Sequence, residues 1–162
     1  MKAYVLKALL GGGEMSGQML AEARGVSRNA VWKAVKGLEA EGYGIEAKPN
    51  GGYRLLSEPD RLTEAGIRAR LQSPARVYVK AQVDSTNSEA KRLLSAGRAE
   101  AALVAAEQQA AGRGRMGRSF YSPPGAGLYM TLLIPCRKPM GEAVRATMEA
   151  SVAVARALGA LT

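Results

Sequence analysis

Residues 16–42 read SGQMLAEARGVSRNAVWKAVKGLEAEG, and this stretch decides the first half of the fold. Ser16 precedes a short apolar-periodic segment and Ser27 a longer one. Serine favours the helix N-cap because its hydroxyl accepts from an otherwise orphaned amide. Between the segments, Arg24-Gly25-Val26 supplies a break with a glycine suited to the left-handed conformation. The second segment sets Ala30, Val31, Ala34, Val35 and Leu38 on one stripe, the mark of a helix buried along one face, and Gly42 ends it. Two helices joined by a short glycine-containing turn form a helix-turn-helix.

Working outward, Lys2–Leu10 carries Val5, Leu6, Leu9 and Leu10 at helical spacing and stops at Gly11-Gly12-Gly13. On the other side, Tyr43–Lys48 reads as a strand and Tyr53–Leu56 as its return. Asn50-Gly51-Gly52 between them suits a hairpin turn, since its central residues tolerate positive φ. Residues 1–58 are therefore expected to form a winged helix-turn-helix. In such modules the N-terminal part of the second helix of the motif enters the DNA major groove. Arg28 and Asn29 are base-reading side-chain types. Ser27, Lys33 and Lys36 are candidate DNA contacts, with Lys48 and Arg54 reaching phosphates from the wing. Trp32 either joins this surface or packs on the first helix. A winged module serving only as a protein platform is the other reading of the same residues.

Ser57-Glu58-Pro59-Asp60 has linker composition, Thr63 can cap a helix through Leu71, and Pro74 breaks the chain again. Residues 59–74 are taken as a linker with a connecting helix. A strand over Arg76–Val83, a helix over Asn87–Leu94, a strand over Ala101–Ala106, a strand over Leu128–Ile134 and a helix over Gly141–Leu158 then alternate. That alternation predicts an α/β domain over residues 75–162. The last helix sets Val144, Met148, Val152 and Ala155 on one face.

Composition bounds the function classes. The 162 residues hold 23 Lys+Arg against 14 Asp+Glu, no His and one cysteine, Cys136. An internal disulfide and a His/Cys zinc site are thereby disfavoured. No apolar run approaches the roughly 18 residues of a membrane span. The opening residues read as an amphipathic helix, and no secretory leader is expected. A cytoplasmic protein without membrane partners is expected. Most of the basic surplus falls after residue 110, where Arg113, Arg115 and Arg118 lie close together.

Two loops of the second half are suited to chemistry. Asp84-Ser85-Thr86-Asn87 lies between a strand and a helix. It reads either as helix capping or as a cluster of small donors and acceptors around a helix start. Gly112-Arg113-Gly114-Arg115-Met116-Gly117-Arg118 offers fork-shaped cationic donors for phosphate or carboxylate. It lacks the Lys-Ser/Thr pair of a P-loop. It sits in a long loop, Gln108–Pro124, of the length that often forms a lid. The alternatives are a plain basic loop and an RNA-contacting stretch, although aromatic residues at 5% supply little stacking platform for single strands.

With Ala106-Glu107-Gln108-Gln109-Ala110-Ala111 and Tyr121-Ser122-Pro123 added to these motifs, the chain resembles the bacterial bifunctional biotin protein ligases that also repress biotin-synthesis genes. The resemblance implies an α+β chain: a winged helix-turn-helix, then the N-terminal part of a class II synthetase-like, mixed-sheet catalytic domain. It implies biotin and ATP as substrates, Mg²⁺, and no tightly bound prosthetic group. The implied partners are a biotin carboxyl carrier protein, operator DNA and a second copy of the chain when adenylate is bound. Biotin and adenylate binding fall on Ser85, Thr86, Asn87, Gln109, Arg113, Gly114, Arg115 and Arg118. Arg113 and Arg115 fall in the catalytic role. Phe120 stands where the family commonly has Trp, and no protein metal ligand is implied. The family's Lys-Trp-Pro-Asn-Asp segment and small C-terminal barrel do not occur here. The expectation is a truncated ligase, weak or inactive alone, with an unpaired sheet edge and exposed apolar surface. The alternative is a winged-helix regulator that keeps a remnant ligand domain, and biotin-dependent adenylate formation separates the two.

Overall fold

A computed structural model describes residues 1–48, 51–97, 101–135 and 140–160, without the side chains of 115 and 140–144. The N-terminal half is built from α1 (Lys2–Leu10), α2 (Gly17–Arg24), α3 (Arg28–Ala40), β1 (Gly44–Lys48) and β2 (Gly52–Ser57). The two serines act as the sequence suggests. Ser16 Oγ accepts from the Gln18 amide and Ser27 Oγ from the Ala30 amide, each at 3.2 Å. The stripe on α3 turns inward, with Val31, Ala34, Val35 and Leu38 buried against Val5, Leu6, Leu9 and Leu20. Each large aliphatic chain buried this way contributes about 1.5–3 kcal/mol.

The wing forms the expected hairpin, β1 pairing antiparallel with β2. The Gly51 amide donates to the Lys48 carbonyl at 3.1 Å, and Asn50 of the expected turn lies outside the described residues. Gly52 takes φ 103° where β2 meets the loop before α2. There Met15 and Tyr53 exchange both backbone hydrogen bonds at 2.9 Å. A Cβ on Gly52 would sit 2.4 Å from the Met15 carbonyl oxygen.

Helix α4 (Glu64–Arg70) adds Ala65 and Ala69 to this same core. Thr63 caps it by accepting from the Gly66 amide at 2.9 Å, and the Thr63 and Tyr43 hydroxyls share a buried hydrogen bond of 2.6 Å. Arg61 donates to the Glu41 carbonyl at 3.0 Å, while the Leu62 amide donates to Glu107 Oε1 at 2.9 Å. The chain between the halves is thus pinned from both sides.

The second half is a three-stranded sheet, β3 (Arg76–Val83), β4 (Ala102–Gln109) and β5 (Tyr129–Leu133), with α5 (Thr86–Ser95) connecting the first two and α6 (Met140–Gly159) last. The order is β3-β4-β5, with β3 parallel to β4 and β5 antiparallel to it. Helix α5 packs on the face of Tyr78 and Val104 through Ala90 and Leu93. Strand β4 runs three residues beyond its expected end at Ala106, because Gln82 and Val83 pair onward with Gln108 and Gln109. Backbone pairing with a neighbour here outweighs a polar composition that disfavours strand. Gln108 and Gln109 are therefore on the sheet, and the loop begins after them. Strand β5 is one residue shorter at each end than the sequence suggested.

The sheet edge and apolar surface are as expected. On β5, Met130 and Leu132 are about half exposed, and α6 presents Met148, Val152, Val154 and Leu158 to solvent. The face read along α6 is therefore uncovered at Met148 and Val152, while the Val144 side chain and Cys136 lie outside the described residues. Among the described residues no helix is long and apolar enough to cross a membrane.

Gly52→Ala adds a Cβ into the Met15 backbone at a φ that L-residues avoid, a strain of about 1–3 kcal/mol. Urea unfolding of the variant is expected to show that loss while Gly97→Ala, facing open space, loses less.

Candidate functional site

The ends of the parallel strands bring the polar motifs of the second half together. Ser85 takes the N-cap position of α5 but its hydroxyl makes no capping bond. The Thr86 amide donates instead to Gln109 Oε1 at 2.9 Å, across from β4. Helix starts leave amides without intrahelical partners, and here a strand side chain supplies the acceptor. Thr86 Oγ1 lies 3.2 Å from the same oxygen. Gln109 Nε2 then donates to Ser122 Oγ at 3.2 Å, and Ser122 Oγ to the Phe120 carbonyl at 3.2 Å. From β5, Thr131 Oγ1 stands 2.9 Å from Thr86 Oγ1 and 3.3 Å from Asn87 Oδ1. Ser85, Thr86 and Ser122 are buried, and Asn87 is exposed at the rim.

Three of the expected binding residues, Thr86, Asn87 and Gln109, thus join one network, and Ser85 sits at its head. Ser122 and Thr131 belong to it as well. Ser122 had a signal, lying in the Tyr121-Ser122-Pro123 motif. Thr131 had none, being one threonine in an apolar strand.

The arginine loop grows directly from this network. The amides of Ala110 and Ala111 donate to the carbonyls of Val83 and Asp84, each at 2.8 Å. Beyond them the chain folds into a narrow hairpin. The Phe120 amide bonds the Gly112 carbonyl at 2.8 Å, and the Gly114 amide bonds the Arg118 carbonyl at 2.7 Å. Gly112 is buried, and a Cβ there would lie 2.5 Å from the Phe120 carbonyl oxygen and 2.6 Å from Ser122 Oγ. The close approach at this glycine is to the hairpin's own return strand. The tip is a short 3₁₀ turn, Arg115–Gly117, in which Met116 takes φ 59°. Arg113, Arg118 and Phe120 are exposed, and the Arg115 side chain is outside the described residues. Gly114, Arg118 and Phe120 line a hollow of about 480 Å³.

Asp84, at the foot of the network, is held by Arg92 at 2.6 Å. The Arg92 hydrogen bond, then the Ser85 amide, keep its carboxyl below its ordinary value of 3.8. Arg92 also pairs with Glu89 at 2.6 Å, and its own pKa is raised chiefly by Asp84. Among the described residues no group of His, Cys, Asp or Glu side chains could hold a metal ion.

The second surface lies on the N-terminal half. Arg28, Asn29 and Trp32 of α3 face Lys48 and Tyr53 of the wing across a groove of about 570 Å³. Trp32 is 49% exposed, so it belongs to this surface rather than to the core. Ser27 is engaged in capping. Lys36 is paired with Glu39 at 2.6 Å, and Lys48 is bonded to Glu14 with Glu46 at 3.7 Å. The Lys48 bond lowers the Glu14 pKa. Lys33, Lys36 and Arg54 are exposed but do not line the groove.

Two family models match separate segments of the chain. Residues 2–54 fit a helix-turn-helix domain model, and residues 78–162 fit the model of the biotin/lipoate A/B protein ligase family. The "Bifunctional ligase/repressor BirA" of Bacillus spizizenii is 37% identical over 90% of this chain and 46% of its own length. The protein of the same name from Escherichia coli is 37% identical over 78% of this chain and 39% of its own. The chain spans less than half the length of these relatives. The biotin protein ligase of Leishmania major, solved with biotinyl-5-AMP, aligns at 36% identity over 39% of this chain and 25% of that one, with a TM-score of 0.36.

A carboxyl acidified on folding stabilises the fold while ionised. The Asp84–Arg92 contribution is thus present above 3.8 and fades as pH falls through the lower folded value. An NMR titration is expected to place the Asp84 carboxyl below 3.8, and Arg92→Leu to move it back toward that value.

Proposed function

The chain belongs to the biotin/lipoate A/B protein ligase family, and on that premise we propose that it activates biotin with ATP and carries an operator-reading module. The observation that carries this reading is the Thr86–Gln109–Ser122 network at the start of α5, with a hairpin bearing three arginines rooted in it. A small polar ligand enters beside donors and acceptors fixed by secondary structure, and cationic side chains stand next to it.

In the proposed reaction a biotin carboxylate oxygen attacks the α-phosphorus of ATP. The bond from that phosphorus to the bridging oxygen breaks, giving biotinyl-5′-adenylate and pyrophosphate. A lysine amine of a biotin carboxyl carrier protein then attacks the acyl carbon, and AMP leaves with the electron pair. No protein nucleophile is required. Two anions must meet, and the Arg113, Arg115 and Arg118 guanidinium groups lower that repulsion electrostatically. Ser85, Thr86, Asn87 and Gln109 hold biotin, while Gly114 and Phe120 lie against the adenylate. A hairpin closing over the adenylate protects it from water. Mg²⁺ supplies charge neutralisation on ATP phosphates when bound. The described residues offer it no ligand cluster, so the chain's own side chains are given no metal-holding role.

The winged module reads operator DNA through Arg28, Asn29 and Trp32, with Lys33, Lys36, Lys48 and Arg54 toward the backbone. Lys36 and Lys48 must exchange a carboxylate for a phosphate to do so. Adenylate-promoted dimerisation would link the two activities, since a ligand that favours the dimer also favours the operator-bound state. The domains divide as 1–58, with the connecting helix of 59–74 packed on it, and 75–162, in a cytoplasmic protein.

Biotin-dependent ATP–pyrophosphate exchange and retention of biotinyl-5′-adenylate test the reading. Arg113→Ala is expected to weaken adenylate retention by roughly tenfold or more, the scale of a lost charge-assisted contact, and to leave operator affinity without biotin within about twofold. Neither exchange nor biotin binding by the chain, with DNA binding intact, favours the regulator with a remnant ligand domain.

A further inference from the structure

Lys48 and Arg54, the two wing cations placed toward the DNA backbone, share one carboxylate that belongs to neither strand of the wing. Glu14 Oε1 accepts from Lys48 Nζ across 34 residues of chain. Lys48 first, and Arg54 more weakly, hold the Glu14 carboxyl below its ordinary value. Glu46 of β1 stands 3.7 Å from the same ammonium. The backbone leaves Glu14 little choice of position. Gly12 and Gly13 turn the chain just before it, with φ 80° and 90°. Met15, just after it, is bridged to Tyr53 of β2 by two hydrogen bonds. The second Glu14 oxygen lies over the wing's turn, where a Cβ on Gly51 would be 3.4 Å away. Across the groove, Arg28 makes no ion pair among the described residues.

We propose that Glu14 is an internal occupant of the wing's phosphate site, a residue that holds down binding to the duplex backbone and leaves base reading by α3 to decide where the winged half settles. The proposal rests on the operator reading and names what limits it. A DNA phosphate and the Glu14 carboxylate are both oxyanions, and they compete for the same Lys48 ammonium. The Lys48 and Glu14 side chains are 45% and 38% exposed, and an ion pair so open to water is weak. A phosphate can therefore displace Glu14. Every duplex meets that cost alike, because backbone contacts carry no sequence information. The displaced carboxylate cannot retreat far, since the Met15–Tyr53 bridge pins the adjoining backbone, and it stays beside the DNA as a like charge. Arg28, the base-reading candidate, has no such competitor to shed.

The test titrates the whole 162-residue chain against a fluorescently labelled duplex of mixed sequence at low salt, with binding read by anisotropy. Glu14→Gln keeps the shape and removes the charge, and is expected to tighten binding about two- to fivefold. The gain is expected to shrink as salt rises. Glu64→Gln removes the same charge from α4, which does not line the groove, and is expected to leave binding unchanged. In a Lys48→Gln background, Glu14→Gln is expected to gain less than it does in the wild type, because no ammonium is left to release. Wild-type affinity in Glu14→Gln overturns the proposal while the operator reading stands. A gain of equal size with and without Lys48 overturns it as well, since Glu14 then acts only as a nearby negative charge. Duplex bound by neither the wild type nor Glu14→Gln overturns the operator reading, and the proposal with it.

Discussion

Parallel pairing of β3 with β4 is the constraint from which the second half of the molecule follows. Two parallel strands cannot be joined by a tight turn, so a crossover must carry the chain back along one face. Here that crossover contains α5, and its first turn necessarily arrives where the strands end. Ligands in α/β sheets bind outside those carboxyl ends. The same pairing draws β4 out to Gln109, places that side chain against the Thr86 amide and sets the root of the arginine hairpin beside both. Strand β5, antiparallel to β4, then needs only its third residue, Thr131, to complete the cluster. Residues 86, 109, 122 and 131 meet because of backbone topology.

The helices of the N-terminal half were legible because their signals are local. A serine cap and an apolar stripe of period 3.6 lie within one segment, and Ser27 with Val31, Ala34, Val35 and Leu38 behave accordingly. The wing was legible as a hairpin, while the contact that Gly52 makes was not. Its positive φ serves a contact with Met15, nearly forty residues away along the chain, that no local pattern reports. The same reason accounts for β4, whose last three residues are polar and become strand only by pairing with β3. At the site, Thr86, Asn87 and Gln109 could be named from motifs, while Thr131 could not, since its partner lies 45 residues earlier. At Gly112 the atoms that exclude a side chain belong to Phe120 and Ser122, a contact between hairpin strands that the local pattern does not report.

Linker composition is a statement about propensity, and residues 61–63 answer to their surroundings. Arg61 and Thr63 hold to Glu41 and Tyr43 of the winged half, and Leu62 between them holds to Glu107 of β4. Glu107 stands two residues before Gln109 on the same strand. The two halves are therefore joined by alternating anchors on successive residues, and α4 continues the N-terminal core rather than floating between two bodies.

The double duty of Gln109 has a consequence for how this site can change over evolutionary time. Its oxygen completes the start of α5 and its nitrogen holds Ser122, so the helix start and the root of the hairpin are written into one codon. A substitution there that tried a new ligand would also strip the helix of its first acceptor. Neighbours without that obligation, Ser85 with no capping bond to make and Asn87 at the exposed rim, are the positions where selectivity can drift while the scaffold stays intact.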